Sequence, residues 1–150
     1  MLRLRPAEPT DVPAIFAMIG ELAEYERLRD KMVGDANDLA KHLFGTPRFA
    51  EALIADWDGS AAGFALYFFN YSTFLCRPGL YLEDLFVRPT HRGRGIGRAL
   101  LQALEQRARE LHCGRLEWAV LDWNESAIEF YRRFGAQPMQ DWILFRKELC

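Results

Sequence analysis

The chain is poor in the residues that would make a disulfide scaffold or a metal centre. Its three cysteines, Cys76, Cys113 and Cys150, are scattered and odd in number. Free thiols in a reducing, cytoplasmic compartment are therefore expected. The three histidines, His42, His91 and His112, have no metal-ligand spacing, so no metal site is predicted. Long apolar runs are missing: none approaches the ~18 residues of a membrane span. The opening Met1-Leu2-Arg3-Leu4-Arg5-Pro6 lacks the apolar segment of a secretory leader, and none is expected. Excess positive charge is absent as well. A net charge of -2 leaves no basic footprint for nucleic acid. There is no repeat, no low-complexity run and no linker. With half of its 150 residues hydrophobic, the chain is expected to be one domain, residues 1–150, with a proper core.

What is present is concentrated between residues 80 and 111. An apolar strand carrying Glu83-Asp84 ends at Pro89-Thr90. Then comes Arg92-Gly93-Arg94-Gly95-Ile96-Gly97-Arg98, and apolar residues recur at helical spacing through Ile96, Leu100, Leu104 and Leu111. A glycine-dense loop opening into a helix suits a phosphate. First-turn N–H groups lack partners, the helix end is partly positive, and glycine keeps Cβ atoms out of the way. The loop is not a Walker A, since no Gly-Lys-Ser/Thr follows, and Arg98 stands where a dinucleotide fingerprint needs its third glycine. Glu117, about twenty residues on, keeps a nicotinamide oxidoreductase as the remote alternative.

In chain order, residues 2–5 read as a strand, with Thr10-Asp11 capping a helix whose buried stripe is Ile15, Phe16, Ile19, Leu22 and Ala23. A short helix is predicted over 35–44, strands over 49–57 and 63–71 joined at Asp58-Gly59, and the central strand over 80–87. After the long helix, Gly114 is the expected helix stop. A strand over 116–121 follows, then a helix capped within Asp122-Trp123-Asn124-Glu125 and stopped by Gly135. Two final strands are expected, at 136–139 and 142–149. This order implies an α/β fold: a mixed, mostly antiparallel sheet with one parallel β-α-β crossover and helices on both faces.

Four stretches together resemble the Gcn5-related N-acetyltransferases, and most closely their diamine and thialysine branch. They are Glu21-Leu22-Ala23-Glu24-Tyr25-Glu26; Tyr81-Leu82-Glu83-Asp84-Leu85-Phe86-Val87; Arg92-x-x-Gly95-x-Gly97; and Trp123-Asn124-Glu125-Ser126 with Phe130-Tyr131-Arg132-Arg133-Phe134-Gly135. Arg27 and Arg29 add positive charge beside Tyr25-Glu26, and the segment before Trp142 is short for the branch. The resemblance implies acetyl-coenzyme A as donor, its pyrophosphate on the backbone of residues 92–98, and its thioester carbonyl and pantetheine on Leu85, Phe86 and Val87. It also implies a homodimer with residues 142–150 at or near the contact.

Acetyl transfer to an amine needs a neutral amine, a stabilised carbonyl oxygen and a protonated leaving thiolate. An alkylamine with a pKa near 10.4 carries a free-amine penalty of about 4 to 5 kcal/mol at neutral pH, which a nearby carboxylate helps to meet. Glu83, just before the strand end, is the candidate proton acceptor; the plainer alternative is a solvated or ion-paired strand residue. Asp84 is expected on the opposite face unless a bulge intervenes. Tyr131 is the candidate acid for the thiolate, and also reads as a core aromatic. Asn124, two turns up the same helix, suits the pantetheine arm or a plain cap. Tyr25, Glu26, Glu83, Asp84, Asp141 and Trp142 are candidates for the acceptor site. The expected activity is N-acetylation of a small primary amine: thialysine-like, diamine or polyamine. Alternatives are acetylation of a protein or peptide amine, and a sensor that holds acetyl-coenzyme A without turnover.

Overall fold

Leu2 and Leu4 alternate with Arg3 and Arg5, and a strand follows from that pattern. A computed structural model describes residues Met1–Cys150. It contains β1 (Leu2–Pro6), α1 (Val12–Tyr25), α2 (Ala36–Phe44), β2 (Glu51–Trp57), β3 (Ser60–Ser72), β4 (Arg77–Val87), α3 (Ile96–Glu110), β5 (Arg115–Trp118) and α4 (Glu125–Arg133). The chain divides into two compact units, Met1–Ala119 and Val120–Cys150.

In the first unit the five strands lie in sequence order. β1, β2, β3 and β4 pair antiparallel, while β5 lies parallel to β4 after the α3 crossover. Asp58 and Gly59 both have positive φ, 50° and 85°, which gives the β2–β3 hairpin the twist its strands require. One face of the sheet, with Ala52, Ile54, Phe64, Leu66 and Phe86, packs on Ile15 and Met18 of α1 and Leu43 of α2. α3 packs on the same strands and on β5, burying Ile96, Leu100, Leu101, Leu104 and Ala108. Asp11 stands at the N-cap of α1 as expected, but its side chain makes no bond to the α1 amides. It pairs with Arg5 at 2.7 Å, which also reaches Asp56 at 2.7 Å, tying the start of α1 to β1 and β2.

α1 and α3 end in the same way. Arg27 and His112 take φ of 61° and 57°, and the amide that follows each bonds back, Leu28 N to Ala23 O at 2.8 Å and Cys113 N to Ala108 O at 2.9 Å. The expected stop at Gly114 is thus displaced to His112. At Gly114 a Cβ would lie 2.7 Å from Leu75 Cδ1, the end of a part-exposed side chain.

In the second unit Asn124 caps α4, its Oδ1 accepting from Ala127 N at 3.4 Å. Gly135, with φ of 102°, turns the chain out of the helix. The two final strands expected at 136–139 and 142–149 do not form. No strand forms in this unit, and no ladder pairs their amide and carbonyl groups. Trp142, Ile143, Leu144 and Phe145 are 76 to 89% exposed. No helix of the chain is long and apolar enough to cross a membrane.

Candidate active site

Two irregularities in β4 build the site. Going along the β3–β4 ladder, Tyr67 pairs with Leu82 and Leu66 with Asp84, so Glu83 is an extra residue with no partner across. A bulge of this kind breaks the alternation of side chains along the strand. This is the bulge that lifts the expectation of opposite faces for Glu83 and Asp84: the two carboxylates act on each other electrostatically, and Glu26, the C-cap of α1, joins them. The three form a group of mutually repelling carboxylates.

The second irregularity is the early end of β5. It pairs with β4 only from Gly79 to Leu82. Residues 83–87 continue along β3 with no strand on their other side. Backbone groups of this segment that point away from β3 therefore lie along an open edge. Leu85, Phe86 and Val87 belong to it.

Beyond Val87 one short turn leads to Gly93 and Gly95, with φ of 79° and 77°, and Gly95 is the N-cap of α3. L-residues rarely take this conformation. The first amide of α3 to bond back is Ala99 N, to Gly95 O at 3.0 Å. Ile96 and Gly97 come before it and have no carbonyl a turn earlier within the helix. A Cβ built on Gly93 or Gly95 would meet nothing within 4 Å. Open space in front of unpaired amides at a helix N-terminus fits a pyrophosphate.

Burial raises the Asp84 carboxyl from 3.8 to about 7, and the charges of Glu83 and Glu26 add to the effect. Burial, then Glu83, also raises Glu26. None of the ion pairs of the chain includes Glu26, Glu83 or Asp84. Arg27 and Arg29, which the sequence sets beside Glu26, are not among the groups that shift it. Arg29 lies 3.9 Å from Glu24 and donates to the Met32 sulfur. The cluster thus holds uncompensated negative charge, and an ammonium-bearing ligand fits it.

Tyr81 is a member that sequence reasoning passed over. It stacks on Phe68, centroids 5.1 Å apart, and burial together with Glu83 and Glu117 raises its phenol. Its place at the head of the Tyr81-Leu82-Glu83-Asp84 run was the available signal. Asn124, Tyr131, Asp141 and Trp142 lie in the second unit. There Tyr131 sits 5.6 Å from the Phe130 ring and Asp141 is exposed.

The chain is similar to several known proteins. Residues 19–136 match the acetyltransferase (GNAT) family. The thialysine N-epsilon-acetyltransferase of Bos taurus is 36% identical, over 97% of this chain and 91% of its own length. The L-ornithine N5-acetyltransferase of Arabidopsis thaliana is 34% identical, over 96% of this chain and 83% of its own. Among solved structures, an integron cassette protein from the mobile metagenome of V. cholerae superposes with a TM-score of 0.81 at 26% identity, covering 98% of this chain and 92% of that one.

Proposed function

This chain belongs to the GNAT acetyltransferase family, and from that premise we propose that it acetylates the primary amine of a small cationic acceptor. A thialysine-like or ornithine-like amino acid ranks first and a diamine or polyamine second. Transfer of an acetyl group to an amine is what both of these relatives are named for. The observation that carries the choice of acceptor is the trio Glu26, Glu83 and Asp84, set by the β4 bulge and the end of α1 and outside every ion pair of the chain.

Acetyl-coenzyme A, the donor used in this family, supplies the activated acetyl group. Residues 92–98 would hold its pyrophosphate through backbone amides, and the open edge at Leu85, Phe86 and Val87 its carbonyl and pantetheine. Glu26 and Glu83 attract the ammonium. Either Glu83 or Asp84 accepts its proton. Asp84 is the better suited, because a base works best with a pKa near the working pH. Tyr131 is the proposed acid for the thiolate and Asn124 the proposed contact of the pantetheine arm, both on their motif positions. Residues 1–150 are proposed to work as one catalytic domain in a reducing compartment.

The test is a thiol-release assay with acetyl-coenzyme A and a panel of amines. Thialysine, ornithine, lysine, putrescine and spermidine should include the fastest acceptors. Rapid acetylation of a neutral arylamine or a peptide, with all five ignored, overturns the reading.

We also propose a homodimer. The exposed apolar run Trp142-Ile143-Leu144-Phe145 supports it, since apolar area of this kind marks a contact surface. Light scattering should give twice the 17.4 kDa chain mass. A single monomer mass throughout the micromolar range refutes it.

A further inference from the structure

The side chain of Arg92 is held from three directions. Its Nε donates to the Val87 carbonyl at 2.9 Å. Its guanidinium carbon lies 5.3 Å from the centre of the Tyr25 ring and 5.6 Å from that of Phe86. Tyr25 is the last residue of α1, immediately before Glu26, and Val87 is the last residue of β4. The guanidinium therefore bridges the two segments that carry the carboxylate cluster. We propose that Arg92 is a positioning residue for the amine acceptor: its side chain clamps the end of α1 against the end of β4 and so fixes Glu26 relative to Glu83 and Asp84. The inference rests on the amine-acetyltransferase reading above and assigns this side chain a task separate from its loop's backbone contacts to phosphate.

Carboxylates gathered without an ion-pair partner repel one another when charged, and that repulsion acts to part the end of α1 from β4. A salt bridge would hold them but would also cancel the charge the acceptor needs. Arg92 avoids that conflict. Its hydrogen bond goes to the Val87 carbonyl and its ring contacts to Tyr25 and Phe86, and it forms no ion pair with the three carboxylates. A guanidinium suits the task because its face stacks while its edge donates, whereas an ammonium is a point charge on a flexible stem.

The test uses Arg92→Lys, Arg92→Gln and Tyr25→Leu in the full-length protein, with three measurements. Calorimetry should give an acetyl-coenzyme A Kd within about twofold of wild type in Tyr25→Leu, and in the Arg92 variants a donor Kd that changes less than the amine KM. The KM for the amine should rise about tenfold or more, with kcat falling less, and Lys should not rescue Arg. Tyr25→Leu should reproduce the effect, and Tyr25→Leu combined with Arg92→Gln should be no worse than either alone. A weakened acetyl-coenzyme A affinity with unchanged amine KM, or fully additive single effects, overturns the clamp. If wild type acetylates no amine, the functional reading fails on its own. The double-mutant cycle in denaturant unfolding then decides the clamp: coupling between positions 25 and 92 upholds it, and zero coupling overturns it.

Discussion

Asp84→Asn is expected to lower kcat/KM for the amine by about 10² to 10⁴, the range of a lost general base. The side chain keeps its size and loses its proton-accepting oxygen. In wild type, kcat/KM should climb with pH as Asp84 loses its proton near its raised value of about 7. In Asp84→Asn that limb should vanish, leaving only the titration of the free amine. Glu83→Gln separates the two carboxylates. If Glu83 only attracts the cation, its loss raises KM and leaves the pH limb in place. If Glu83→Gln abolishes the limb and Asp84→Asn keeps it, the base is Glu83.

The same substitution has a stability consequence of opposite sign. A carboxyl whose native pKa lies above its unfolded value binds protons more tightly when folded. Its destabilising effect therefore grows as pH rises from 3.8 towards 7 and is complete above. The ceiling is ~4 kcal/mol for a shift of that size, shared here among three interacting carboxylates. Asp84→Asn should accordingly melt higher than wild type at pH 8, with the difference shrinking towards pH 4. A variant that melts lower than wild type at pH 8 contradicts the burial argument. Higher stability with lower activity is the signature of a group kept for chemistry rather than for the fold.

Gly95→Val should weaken acetyl-coenzyme A binding by at least tenfold. Two costs contribute and can be separated. At φ of 77° a β-branched residue is strained, which costs about 1–2 kcal/mol of folding stability. Its methyl groups would also fill the open space before the α3 amides, where phosphate approaches. Gly59→Val is the control. Gly59 has φ of 85°, also faces open space and sits in the β2–β3 turn, so it should lose similar stability while keeping donor affinity. Calorimetry on both variants reads the difference. Equal affinity losses, or wild-type affinity in Gly95→Val, remove the phosphate assignment.

Local rules account for most of what was legible in the sequence. The strand around residues 80–87, the Asp58-Gly59 turn and the Asn124 cap all depend on neighbours a few residues away, so their signals survive in one dimension. The glycine loop opening into α3 belongs with them, because a positive φ before a helix is a demand a sequence can display. The family followed from the same short motifs taken in order.

Tertiary structure decided the rest, because each of these features is set by residues distant in sequence. Whether Glu83 and Asp84 alternate or cluster depends on the register against Leu66 and Tyr67 on β3, which a single strand does not contain. Glu26 reaches the cluster only because α1 packs on the sheet and ends in an αL turn at Arg27. The raised carboxyl of Asp84 is a burial effect before it is a charge effect, and burial is a property of the packed chain. The final strands show the limit of local propensity from the other side. Residues 142–149 have a strand's composition, but a strand exists only where a neighbour accepts its hydrogen bonds, and their own unit offers none.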